Sequence, residues 1–137
     1  MAEWPLNDDN IAYARRLSER FGFLVRVESG RRSTRLSDLI RGRQARAAGM
    51  GTWVEALASL WRLSDEDPRL NDLHAKIGER ARCGAGMLAA RQVAPSTTAD
   101  PHQGGAWFTK GVTRMDDQQH ALSALLRSEV ILQTPPK

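Results

Sequence analysis

The sequence predicts a mostly α-helical fold, about five helices packed as antiparallel hairpins in a single domain spanning residues 1–137. Three observations carry that reading. Apolar residues recur at spacings of three and four over most of the chain. The stretches between them hold helix punctuation, above all Ser64-Asp65-Glu66-Asp67-Pro68. Only one segment, Phe23-Leu24-Val25-Arg26-Val27, is rich in strand-favouring residues, and it has no evident partner.

In chain order, Met1 to Leu6 is a lead-in, followed by the N-cap candidates Asn7, Asp8 and Asp9. Ile11, Ala14, Leu17 and Phe21 mark a first helix, which Gly22 is expected to end. The β-prone segment 23–27 is then read as extended. A second helix is expected over 33–48, with Leu36, Leu39, Ile40 and Ala47 inward and Arg35, Arg41, Arg43 and Arg46 on the other face. Gly49-Met50-Gly51 is read as a break, and a third helix as running over 53–63. Asp67 before Pro68 has the pattern of an N-cap with proline at the first helical position. From there Leu70, Leu73, Ile77, Ala81, Ala85 and Leu88 hold a stripe to about Gln92. Gly84 and Gly86 inside that stripe each weaken a helix by about 1 kcal/mol relative to alanine. Their expected use is close approach of a neighbouring helix. Residues 93–103 read as a loop, and Gly104-Gly105-Ala106-Trp107 as a turn. The last helix is expected to be capped by Thr113 and Asp116 and to turn Met115, Leu122, Leu125, Leu126 and Val130 inward. Pro135-Pro136-Lys137 is a tail.

Composition narrows the function classes. An apolar content of 41% argues against wholesale disorder. No apolar run nears the roughly 20 residues of a membrane span, so no membrane partner is expected. The acidic start, with Glu3, Asp8 and Asp9, has no apolar core of a secretory signal. A lone cysteine, Cys83, makes no internal disulfide, and a cytoplasmic location is expected. The basicity is local. Seven arginines between Arg26 and Arg46 face only Glu28 and Asp38, a segment charge of +5 in a chain whose net charge is +4. Arginine without lysine favours forked contacts to phosphate or carboxylate. Arg35, Arg41, Arg43 and Arg46 are accordingly the candidate anion-binding residues, and nucleic acid or another polyanion the candidate partner.

The chain also echoes itself. Arg43-Gln44 matches Arg91-Gln92, Gly51-Thr52-Trp53 matches Gly105-Ala106-Trp107, and Ala56 to Leu60 matches Ala121 to Leu125. The echo suggests repeat units over 33–63 and 69–133. The run Ala85 to Gln92 followed by Gly105-Ala106-Trp107 resembles the QW repeat of α/α-toroid proteins, such as squalene and terpenoid cyclases and prenyltransferase β subunits. In those families the glutamine closes an outer helix, the Gly-x-Trp turn packs beneath it, and polar residues opening the inner helix face a cavity. The resemblance implies a ligand pocket near Trp53, Glu55, Trp107 and Arg114. It also places Asp116, Asp117 and His120 at the cavity mouth. Two copies are fewer than a closed toroid has, so further repeats or another chain would complete it. The acidic Asp-x-Asp-Asp motif of the cyclases is absent.

Asp116, Asp117 and His120 form the strongest chemical cluster on spacing alone. On a helix each aspartate is within one turn of the histidine, a pairing suited to general-base work. Acidic residues opening a helix also complement its dipole, which explains the same pattern without chemistry. No metal site or cofactor is expected, because ligands on one helix need a distant partner. Two function classes stay open: an enzyme-like toroid fragment with a small-molecule pocket, and a non-enzymatic module that docks a nucleic acid or an acidic partner through the arginines.

Overall fold

The computed structural model of the protein describes residues 6–136, so most of the predicted lead-in and Lys137 lie outside the described residues. Five α-helices are present and no strand occurs among these residues. They are α1 (Asp8–Ser29), α2 (Arg35–Arg41), α3 (Ala47–Glu66), α4 (His74–Arg91) and α5 (Met115–Gln133). A six-residue 3-10 helix, Pro68–Leu73, leads into α4. The mostly α class is therefore as the sequence predicts. None of the described helices is long and apolar enough to cross a membrane.

The four long helices alternate in direction. Val54 meets Gly84 while Trp61 meets Gly78, so α3 and α4 run antiparallel. Arg15 binds Asp72, Gly22 meets Arg80 and Glu28 binds Arg91, so α1 runs parallel to α4. Ala48 binds Asp117 while Arg82 reaches Thr134, which sets α5 alongside α3 and antiparallel to α4. Helices α3 and α4 form the central pair. α1 packs into one side of it, around Ile11, Val25, Leu57 and Ile77. α5 packs into the other, around Met50, Val54, Leu88, Trp107, Ala121 and Ala124.

Several boundaries differ from the sequence expectation, each for a physical reason. α1 does not stop at Gly22, and residues 23–27 are helical rather than extended. Ile11, Ala14, Ser18, Gly22, Val25 and Glu28 are all buried at helical spacing, so packing on α3 and α4 overrides local strand preference. Gly22 serves contact: a Cβ there would stand 3.3 Å from Arg80 Cγ. The second helix is short, Arg35–Arg41, capped by Thr34, whose hydroxyl accepts from Ser37 N. It ends at Gly42, whose φ of +81° favours glycine. Its Leu36, Leu39 and Ile40 point outward rather than inward.

Gly49-Met50-Gly51 is no break but the first turns of α3. Gly51 lies against the backbone of His120 and Ala121, so closely that no side chain fits between α3 and α5. Trp53 is therefore mid-helix, not in a turn equivalent to that of Trp107. The Asp67-Pro68 start holds: the Asp67 carboxylate accepts from Arg69 N at 3.0 Å. Gly84 has the expected close-approach role, against Val54, whereas nothing lies within 4 Å of a Cβ at Gly86. α5 opens at Met115 after Arg114, whose N donates to the Asp117 carboxylate at 3.1 Å. Asp116 accepts from Asp117 N at 3.1 Å, and the Thr113 hydroxyl accepts from the Gln118 side chain rather than from a backbone N–H. The inward face of α5 is Asp117, Ala121, Ala124, Ser128 and Ile131. The larger Met115, Leu122, Leu126 and Val130 are exposed, and where α5 meets Gly51 the inward residue is the small Ala121.

Candidate anion-binding groove

One end of the bundle gathers the C-termini of α1 and α4, the N-termini of α3 and α5, α2, and the segment 92–114. Two buried carboxylates pin it together. Glu28, fully buried, accepts from Arg31 Nη1 and Arg91 Nη2, each at 3.0 Å, and from Ala45 N at 2.8 Å. It so ties α1 to α4 and to the strand of chain that enters α3. Asp117, 1% exposed, accepts from Arg46, from Ala48 N at 3.1 Å and from Arg114 N. It ties the start of α3 to the start of α5. Burial alone would raise the Asp117 carboxyl, but Arg46 and the two backbone N–H groups outweigh it and hold it below the ordinary carboxylate range. The Arg46 guanidinium is held charged more firmly than usual by the bond to Asp117.

The segment 92–114 is fixed at both ends. Gln92 Nε2 donates to Gly105 O at 2.8 Å, and Gly105 takes a φ of +83° to make the turn. Trp107 is buried and its indole donates to Leu88 O at 2.8 Å. Gln118, in the first turn of α5, accepts from Trp107 N and donates to Trp107 O. Beyond it Thr109 and Val112 pair across a tight turn, with Lys110 and Gly111 at positive φ.

Between α2 and this turn lies a groove of about 880 Å³. Its walls carry Arg35, Arg43, Arg46, Arg91, Lys110 and Arg114 against a single carboxylate, Asp38. Arg46 and Arg91 are committed to Asp117 and Glu28. Arg35, Arg43, Lys110 and Arg114 are exposed, and their side chains make no ion pair or hydrogen bond among the described residues. Four forked or flexible cations therefore face one cavity with their hydrogen-bonding capacity open. Phe108, half-buried, adds an aromatic wall.

The predicted site residues divide accordingly. Of the four predicted anion-binding arginines, Arg35, Arg43 and Arg46 line the groove. Arg41 does not: its Nη1 donates to Gly30 O at 2.7 Å, at the end of α1. Trp107 and Arg114, predicted near a ligand pocket, also line the groove. Trp53 is half-buried against both core clusters, and Glu55 is two residues further along α3. Asp116, Asp117 and His120 do not converge. Asp117 faces Arg46, Asp116 is exposed with its carboxylate on Asp117 N, and His120 Nδ1 pairs with Glu55 at 3.1 Å on the side of α3. Sequence reasoning missed Lys110, Arg91 and Phe108. The Lys110-Gly111 pair was the available signal, a tight-turn dipeptide between two strand-favouring residues. Arg91 gave none, since its contacts to Glu28 and Ala45 span 63 and 46 residues. Comparison with family models, curated proteins and solved structures returns no match.

Proposed function

We propose that the protein is a non-enzymatic binding module whose groove holds a phosphate-bearing polyanion. The observation that carries this reading is the set Arg35, Arg43, Lys110 and Arg114, exposed around one cavity and without partners among the described residues. Arginine forks match phosphate oxygens in pairs, and a lysine at a turn tip adds a mobile point charge. The buried pins at Glu28 and Asp117 hold the walls in place before any ligand arrives, which lowers the ordering cost of binding. Duplex DNA serves as the probe, its binding followed by fluorescence anisotropy against salt. If the four cations each meet a phosphate, log affinity falls with log salt at a slope near −3 to −4, from about 0.9 per phosphate. Changing all four to Gln should remove most of that slope and leave the melting curve in place. No binding at low salt, or an unchanged slope in the variant, overturns the reading.

A second reading keeps the toroid-like ligand pocket, and one contact favours it: the Gln92 bond to the Gly-x-Trp turn. The first copy has no such turn, since Gly51 to Trp53 is helical. The test is a small apolar ligand that quenches Trp107 and is displaced by neither salt nor polyanion.

A further inference from the structure

Helix α2 presents its apolar side to solvent. Leu36 is 67% exposed, Leu39 76% and Ile40 70%, at the i, i+3, i+4 spacing that makes one ridge. Polar contacts anchor the helix. Arg32 N donates to the buried Ser37 hydroxyl, Arg31 Nε to Arg41 O, and Arg41 to Gly30 O. Nothing in the bundle needs the ridge. The facing wall of the groove ends in the Lys110-Gly111 turn, with Val112 56% exposed beside it. The ridge flanks the groove rather than lining it. Arg35 and Asp38 of α2 face the groove, while Leu36 and Ile40 border an adjoining recess with Gly30, Arg32 and Arg41. The cations without partners among the described residues lie between the ridge and Val112. Arg35, one turn from Leu39, belongs to both features.

We infer that the polyanion is the surface of an anionic lipid bilayer, with headgroup phosphates in the groove and the α2 ridge in the acyl boundary; this rests on the groove reading above. The pairing of open cations with an exposed apolar ridge selects this occupant. A duplex offers phosphates but nothing that gains from covering Leu36, Leu39 and Ile40, whereas a bilayer interface places anionic groups directly above apolar chains. A two-turn ridge is too small to hold a membrane by itself, so both parts are required. Crossing a bilayer and docking on it are separate matters, and the bundle is built for the second.

The experiment is flotation of the full chain with vesicles of phosphatidylcholine containing phosphatidylserine, against phosphatidylcholine alone, with duplex DNA as the parallel probe. The wild type should float with the anionic vesicles only. Vesicle binding should fall with salt as DNA binding does, because the ridge does not hold the membrane once the phosphate contacts are screened. The triple variant Leu36→Ser, Leu39→Ser, Ile40→Ser should lose about tenfold or more in vesicle affinity. Its DNA binding and melting temperature should not change, since these side chains are two-thirds or more exposed and do not line the groove. Each of Arg35→Gln, Arg43→Gln, Lys110→Gln and Arg114→Gln should weaken vesicle binding by about fivefold. Unchanged vesicle binding in the triple variant overturns the inference. So does a wild type that binds DNA but no vesicle, an outcome that leaves the groove reading standing. A wild type that binds neither probe ends both.

Discussion

At the scale of single residues, two carboxylates decide whether the bundle end exists. Glu28 is fully buried and accepts three hydrogen bonds, two of them from arginines. Replacing it by Ala strands Arg31, Arg91 and Ala45 N together. The expected loss is about 3–5 kcal/mol, the range for removing one partner of a buried pair. Urea denaturation measures it, and a loss under about 1 kcal/mol would mean that water replaces the carboxylate. Asp117 carries a pH signature as well. Its carboxyl is held below the ordinary range in the folded protein. The stability it contributes is therefore present above the unfolded value of about 3.9 and is lost as the pH falls through that value and below. Asp67 and Asp72 are depressed by their bonds to Arg69 and Arg15, and they act in the same direction. Asp117→Asn should lower stability at neutral pH and reduce the loss between neutral pH and pH 3. An acid profile parallel to that of the wild type would sink this assignment. None of this was legible in the sequence. Asp117 reads there as a helix-opening acid or a catalytic one, and the contacts to Arg46 and Ala48 N, 71 and 69 residues away, give it the job of joining α5 to α3.

At the scale of elements, the glycines separate what local pattern reveals from what packing decides. Five of them fall inside α3 and α4 and look equivalent in sequence. The structure makes them opposites. A Cβ at Gly51 would collide with the backbone of His120 and Ala121, and one at Gly84 with Val54, whereas Gly49 and Gly86 have nothing within 4 Å. Gly51→Ala should cost about 1–3 kcal/mol or more, because backbone cannot yield as a side chain does. Gly49→Ala and Gly86→Ala should each stabilise by up to about 1 kcal/mol through helix propensity. Thermal melts of the three single variants decide the matter, and a stabilising Gly51→Ala would show that α3 and α5 are not in backbone contact. The helices themselves were largely readable, since 3.6-residue periodicity and the Asp67-Pro68 cap are local signals. The faces of α2 and α5 were not. Pattern alone turns Leu36, Leu39, Leu122 and Leu126 inward, and tertiary packing prefers Ala121, Ala124 and Ser128 at a close crossing.

At the scale of the molecule, charge is divided by job, and this division is the part of the site that sequence could not supply. The arginine-rich segment 26–46 announces an electropositive surface, and three of its four predicted anion-binding residues do line the groove. What composition cannot say is which cations are spent internally. Arg41 closes α1 and Arg46 neutralises Asp117, while Arg43 has no partner among the described residues. The three look alike in sequence and should separate in experiment. Arg46→Gln leaves a buried carboxylate with only backbone donors, so unfolding should become easier by about 2–3 kcal/mol. Arg43→Gln removes an exposed charge, and its effect on stability should stay within about 0.5 kcal/mol. In polyanion binding the order reverses. Arg43→Gln should flatten the salt slope by roughly one phosphate, about 0.9. Arg41→Gln should leave that slope unchanged, because its guanidinium is turned to Gly30 O rather than into the groove. Measuring melting temperature and salt slope on the same three proteins tests the division. A common effect of Arg41→Gln and Arg43→Gln on the slope would mean that binding responds to total charge, not to the groove.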